Sequence, residues 1–215
     1  MKKITIINSK GGVGKTTLAL NLGLFLSQNH AQISFLDLDP QQSLSDWIKR
    51  RPQALRQFYC GKSNCQKLND KTFSAMDEEG ICVIDTPASI ESEQITKLLD
   101  YSDALIIPLS PSPLDLGALT RFIFQLAAND EDILNDKPIA LVANRSKTYT
   151  LVQKDILKRI EKIHLPLIAT FRDTQNYTLP ATRGMGLIDL PTYKIKQDLE
   201  NWQPLIKWLS DNVII

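Results

Sequence analysis

Cysteine is scarce in this chain of 215 residues, with three in all, and histidine is scarcer, with two. An odd, low cysteine count in a chain of this size gives no disulfide framework and suits a reducing cytoplasm. Cys60 and Cys65 have no second cysteine pair and no nearby histidine to complete a zinc site, so they are expected to be solvent-side thiols. Cys82 falls in an apolar run and is expected in the core. His30 and His164 lie far apart and receive no role. Excess charge is missing too: 25 Lys and Arg against 24 Asp and Glu leave +1. That balance excludes a free-standing basic tail and leaves only local patches for an anionic partner. No apolar run approaches the roughly 20 residues that cross a bilayer. The longest, Ala104 to Leu109, is broken by Pro108. Lys2 and Lys3 precede Ile4-Thr5-Ile6-Ile7, but Asn8 ends that run short of the about 7 to 15 apolar residues of a secretory leader, so it is expected to be a first strand. Repeats, low-complexity tracts and linkers are also lacking. With 43% apolar residues, residues 1–215 are expected to fold as a single domain.

What is present is an alternation of short, nearly all-apolar runs with helical patterns. The runs are Ile4 to Ile7, Ile33 to Leu36, Ile81 to Ile84, Ala104 to Leu109, Ile139 to Ala143 and Leu167 to Thr170. A strand with one wet face would alternate apolar and polar residues. Continuous apolar strands therefore predict a sheet covered on both sides, a doubly wound, mainly parallel α/β fold. Helices are expected over Thr16–Gln28, Leu44–Arg51, Ile90–Asp100, Asp115–Ala128, Leu151–Ile163 and Leu199–Ser210. The polar stretch from Pro52 to Gly80 is expected to be an irregular insertion.

Directly after the first run comes Lys10-Gly11-Gly12-Val13-Gly14-Lys15-Thr16-Thr17, which opens into good helix formers. A loop that wraps a triphosphate turns its backbone N–H groups inward and lets phosphate oxygens approach without Cβ interference, which glycine permits. The helix N-terminus adds partial positive charge. In this arrangement Lys15 reaches the β and γ phosphates and the Thr16 hydroxyl ligates Mg²⁺. A strict P-loop has glycine where this chain has Ser9. Three acidic residues end neighbouring strands: Asp37 and Asp39 in Asp37-Leu38-Asp39-Pro40-Gln41, and Asp85 in Asp85-Thr86-Pro87. Carboxyl ends of parallel strands converge on the ligand crevice. Asp85 suits the role of holding Mg²⁺ through water. Asp37 and Asp39, at alternating positions, share a side and either can orient an attacking water, with Asp39 preferred.

These residues resemble the ParA/MinD family of deviant Walker ATPases, and within it the small ParA-like partition proteins. The resemblance implies a P-loop NTPase fold of the SIMIBI type that uses ATP and Mg²⁺. Lys10 matches the family's signature lysine, which implies an ATP-sandwich homodimer in which each Lys10 contacts the phosphates held by the other subunit. A cation supplied in trans stabilises charge developing on a transferred phosphoryl group. Asp39 matches the hydrolytic aspartate of switch I, and Asp85-Thr86-Pro87 matches switch II. Pro111-Ser112-Pro113 with Asp115 resembles the segment along the dimer and nucleotide face. Asn144-Arg145 matches the adenine-reading asparagine, whose amide both donates and accepts. The resemblance also implies non-specific DNA binding by the dimer, nucleoid association in the cytoplasm, and a ParB-like or other cargo-bound protein that stimulates slow hydrolysis. The cargo is a plasmid, a chromosome origin or a large protein assembly. Alternatives on the same scaffold are a MinD-like membrane-cycling regulator and a metabolic ATP-dependent ligase.

For the DNA surface, Lys154, Lys158 and Lys162 recur at helical spacing, flanked by Arg159, and suit phosphate contacts; a solvated helix face explains the stripe as well. Arg183 with Lys194 and Lys196, and the run Lys49-Arg50-Arg51, are further candidates. Trp202, Leu205, Ile206, Trp208 and Leu209 form an apolar face on the last helix. With only Lys207 basic in that segment, the face is expected to pack on the sheet rather than on lipid, so no stable membrane association is expected.

Overall fold

The computed structural model describes residues 1–129, 133–147, 158–160 and 165–214, with the side chains of 114 and 135 left aside. Seven strands form one parallel sheet in the order β3-β2-β4-β1-β5-β6-β7. They are β1 (Lys2–Ile6), β2 (Ile33–Asp37), β3 (Tyr59–Lys62), β4 (Ile81–Asp85), β5 (Ala104–Leu109), β6 (Ile139–Ser146) and β7 (Leu167–Arg172). The long helices are α1 (Lys15–Leu26), α2 (Ser43–Arg50), α3 (Ser92–Asp100), α4 (Pro113–Asn129) and a C-terminal helix, Thr192–Asn212.

Side-chain alternation along the strands splits the interior into two cores. Ile4, Ile6, Phe35, Val83 and Ile106 meet α1, α2 and the C-terminal helix, whereas Ile7, Leu36, Ile84, Leu105 and Ile107 meet α3 and α4. Every residue of β2, β4 and β5 is buried, which is why their sequences are apolar throughout. Each such Ile, Leu or Phe contributes about 1.5–3 kcal/mol of burial. The C-terminal helix packs as expected through Trp202, Leu205 and Leu209, with the Trp202 ring stacked between Phe25 and Phe171 at 4.6 and 4.4 Å.

Proline sits inside a central strand at Pro108, and the topology explains why β5 accepts it. Leu105 N–H points towards β6, donating to Pro138 at 3.0 Å, so even-numbered residues face β1. Pairing with β1 stops at Ile106, and the side of Pro108 that lacks an N–H therefore faces a chain that has already turned into the glycine loop. Its carbonyl accepts from Asn8 Nδ2 at 2.7 Å.

Three expectations need correction. The Pro52–Gly80 stretch carries the edge strand β3, paired in register with β2 from Ser34–Tyr59 to Asp37–Lys62. Its four residues, Tyr59 and Lys62 exposed and Gly61 buried between them, gave no apolar run. Cys65 is buried rather than solvent-side, packed with Leu68, Phe73 and Met76, and Cys60 is half-buried. The last helix begins at Thr192, seven residues before the expected start at Leu199, and it runs through Pro204.

Candidate functional site

The site is built at the carboxyl ends of β1, β4 and β2. Register places Ile6 and Asp37 opposite Asp85, so the glycine loop after β1 and the two acidic strand ends share one rim. The cleft there has a volume of about 600 Å³, and Gly12, Lys15, Thr16, Asp39, Trp47 and Arg145 are among its lining residues.

The loop is a backbone structure that only glycine supports at two points. Gly12 and Gly14 have φ of +77° and +91°, and a Cβ on Gly14 would overlap the Asn144 amide. Gly14 caps α1, its carbonyl accepting from Leu18 at 2.9 Å. No side chain caps this helix, so the N–H groups of its first turn open to the cleft as an anion cradle. Gly11 lies against Ala88 of the loop after β4. Asn8 splints the base of the turn: its Oδ1 accepts from Lys10 N–H at 2.9 Å while its Nδ2 holds Pro108.

Lys15 is buried, with Nζ donating to the carbonyls of Asn8 and Lys10 at 3.1 and 3.3 Å. Burial pulls its pKa below the usual lysine value, against the opposing pull of Asp85 and Asp39. Thr16 Oγ1 donates to Asp85 Oδ2 at 2.7 Å. Burial pushes Asp85 up to about 7, although the Thr16 hydrogen bond and Lys15 favour its ionised form. Its second oxygen, Oδ1, is fully buried without a hydrogen-bond partner. A buried carboxylate oxygen without a donor is costly, and a divalent cation beside Thr16 would satisfy it. The donor set, one hydroxyl and one carboxylate, is the all-oxygen chemistry of Mg²⁺.

The two acidic residues of the β2 end part company. Asp37 is fully buried; its Oδ1 accepts from Asp39 N–H at 3.2 Å and its Oδ2 from Ser45 N–H at 2.8 Å. It braces the turn into α2 and offers no oxygen to a water. Asp39 lines the cleft, and Gln41 N–H donates to its Oδ1 at 2.9 Å. Against the glycine loop, Asn144 Nδ2 donates to the Val13 carbonyl at 2.9 Å and its Oδ1 accepts from Arg145 N–H at 2.9 Å. Asn144 therefore keeps one N–H and one lone pair free for a planar amide-like edge. Arg145 adopts a left-handed φ of +55° and lines the cleft.

Lys10 and Asp115 form an ion pair within the chain. Pro113 is the first residue of α4, a position where proline costs no hydrogen bond. Ser112 caps the helix: its Oγ accepts from Asp115 N–H at 3.1 Å and donates to Asp115 Oδ2 at 2.8 Å.

Sequence reasoning missed the far wall of the cleft. Trp47 and Arg50 of α2 face the short helical turn Thr178–Ala181 and Thr182 across it. The available signal was the spacing of Leu44, Trp47 and Ile48, which marks one face of a helix starting six residues after Asp37. Arg51, offered as part of a basic run, is instead buried and pairs with Asp189, Nη1 to Oδ2 at 2.7 Å and Nη2 to Oδ1 at 2.9 Å. Of the candidate DNA residues, Lys158, Arg159 and Arg183 are exposed, and Lys154 and Lys162 lie outside the described residues. Among the described residues no helix is long and apolar enough to cross a membrane.

A family model described as the CobQ/CobB/MinD/ParA nucleotide binding domain matches residues 4–187. A curated relative named maintenance of carboxysome distribution protein A, from Gloeobacter kilaueensis, is 35% identical over 56% of this chain, and the match spans about half of that relative, 54%. The protein of the same name from Halothiobacillus neapolitanus is 28% identical over 87% of each chain, and protein ParA from Rhizobium radiobacter is 28% identical over 78% of each. Among solved structures, an ATP complex of a Cyanothece McdA variant superposes with a TM-score of 0.76 at 19% identity, covering 98% of this chain and 95% of that one. A plasmid partition protein from Borrelia burgdorferi bound to AMPPNP gives 0.68 at 22% identity, over 96% and 98%.

Proposed function

Because the chain belongs to the CobQ/CobB/MinD/ParA nucleotide-binding family and gathers a glycine loop, a buried lysine and Asp85 on one rim, we propose that it is a positioning ATPase. As a single nucleotide-binding domain it binds Mg²⁺-ATP in the cleft, closes into a homodimer, holds DNA non-specifically and lets go on hydrolysis. The observation that carries this reading is the joint placement of Lys10, Lys15, Thr16 and Asp85 around one glycine loop.

Gly11, Gly12, Val13 and Gly14 offer backbone N–H groups, Lys15 a cation, and Thr16 and Thr17 hydroxyls at the helix start. Asn144 and Arg145 flank the space beyond Thr17 and read the adenine. Thr16 and, through water, Asp85 would hold the metal, which would supply neutralising charge to the phosphates. Asp39 orients the attacking water through its remaining oxygen, and Lys10 stabilises the phosphoryl charge of the second copy's nucleotide. Pro111, Ser112, Pro113 and Asp115 lie on the dimer face beside it. Hydrolysis by the dimer is slow until a cargo-bound partner of ParB type orders the switch segments. Relatives named for carboxysome distribution and for ParA support a cargo that is either a protein assembly or a replicon, with the ATPase on the nucleoid in the cytoplasm. Exposed Arg183, Lys158 and Arg159 are candidate phosphate contacts.

The test is co-sedimentation with DNA in ATP, in ADP and without nucleotide, each at two salt concentrations, beside an arm with anionic vesicles. ATP-only binding that weakens steeply with salt is expected. Binding to vesicles instead, or to neither, would overturn the DNA reading.

A further inference from the structure

Lys10 is asked to reach into a second copy, yet here its amine has a seat at home. Its backbone is fixed at both ends of the residue, the N–H by Asn8 Oδ1 at 2.9 Å and the carbonyl by Lys15 Nζ at 3.3 Å. With the main chain held, the side chain runs to Asp115 of the same chain and pairs with Oδ1. Asp115 is not a mobile surface acid. Its side chain is 8% exposed against 36% for Lys10, and the Ser112 cap at the start of α4 fixes both its backbone N–H and its other oxygen. A carboxylate so enclosed is expensive to leave without its cation.

We infer that Asp115 is a resting seat that holds Lys10 in cis and so restrains dimer closure. The inference rests on the trans role for Lys10 proposed above. An amine on Asp115 is not on a neighbour's phosphates, so closure must break this pair. A triphosphate in the facing copy supplies the compensating charge. Asp115 acts here through Lys10 and is a positioning residue: it sets how much nucleotide charge and how much protein are needed before two copies close.

Asp115→Asn tests this with little disturbance, because an amide oxygen still accepts the Ser112 hydroxyl and the backbone N–H of the cap remains. Dimerisation would be followed by sedimentation velocity over a protein dilution series with a non-hydrolysable ATP analogue and with ADP. The variant should dimerise with the analogue at about a hundredfold lower protein concentration than the wild type, the effect of losing an ion pair worth about tenfold in each of the two copies. Asp115→Glu, which restores the charge, should move the threshold back. As a readout independent of dimerisation, acetylation of Lys10 in the nucleotide-free monomer, measured by mass spectrometry, should rise several-fold in Asp115→Asn. An unchanged threshold, or unchanged acetylation, overturns the seat. A raised threshold overturns it differently, by making Asp115 the acceptor for the partner's lysine. A wild type that stays monomeric with the analogue at every concentration sinks the trans-lysine reading itself, and the seat with it.

Discussion

Asp189→Ala removes one half of the ion pair that ties α2 to the loop before the C-terminal helix. Arg51 and Asp189 have side-chain exposures of 2% and 7% and meet through two parallel hydrogen bonds. The guanidinium also donates from Nε to Arg56 at 2.6 Å and from Nη1 to Gly184 at 3.3 Å, and it lies 5.5 and 5.4 Å from the ring centroids of Trp47 and Phe58. Gly184, at φ +68°, presses so close to the backbone of Arg50 and Arg51 that a Cβ there would overlap it. The alanine variant leaves Arg51 charged and enclosed, with carbonyls but no anion around it. Removing one partner of such a pair costs about 3–5 kcal/mol. For a chain of this size each kcal/mol is worth about 2–4 °C, so the melting temperature should fall by roughly 6–20 °C. Asp189 also accepts from Gly186 N–H at 2.8 Å, a contact that Asp189→Asn retains, so that variant should lose less. Replacing both partners with apolar residues, Arg51→Met with Asp189→Leu, should recover most of the loss. Thermal and urea unfolding of nucleotide-free protein measure all three. A cost below about 1 kcal/mol for Asp189→Ala would refute the claim that this pair holds the loop to α2.

Asp39→Ala should leave nucleotide affinity within about threefold of the wild type while steady-state ATP turnover drops by about 10²-fold or more, in line with loss of a general base; turnover near the wild-type rate would remove Asp39 from that role. Burial holds Asp85 up to about 7 against the usual 3.8, so between about pH 4 and 7 the folded protein keeps a proton that the unfolded chain has released. Nucleotide-free stability should therefore fall as pH rises through that window, by at most about 4 kcal/mol, and level off above it. Asp85→Asn should flatten the profile of melting temperature against pH measured in chelator, and an unaltered profile would show that another group titrates there.

The phosphate cradle was legible because its demands are local. Positive φ at Gly12 and Gly14 and an uncapped helix start require particular residue types at fixed spacing, wherever the rest of the chain goes. The central strands were legible for a similar reason, since burial on both faces writes itself as an unbroken apolar run. The edge strand Tyr59–Lys62 escaped, because half of its surface is open and its pairing with β2 leaves no periodic mark.

What the sequence could not separate were residues of one chemical type whose partners arrive from far along the chain. Asp37 and Asp39 look alike at alternating positions, but the return of α2 brings Ser45 N–H onto Asp37 and leaves Asp39 at the cleft. Lys49, Arg50 and Arg51 form one basic run, yet only Arg51 meets Asp189, 138 residues later, and goes inside. Lys10 stands out in the sequence beside the glycine pair, whereas its ion-pair partner Asp115 is brought to it only once β1 and β5 lie side by side. Local backbone chemistry and burial fixed the cradle and the sheet. Only the packed chain decided which of several equal charges would be spent on structure and which left for a ligand, because desolvation and distance set a charge's value and both are properties of the fold.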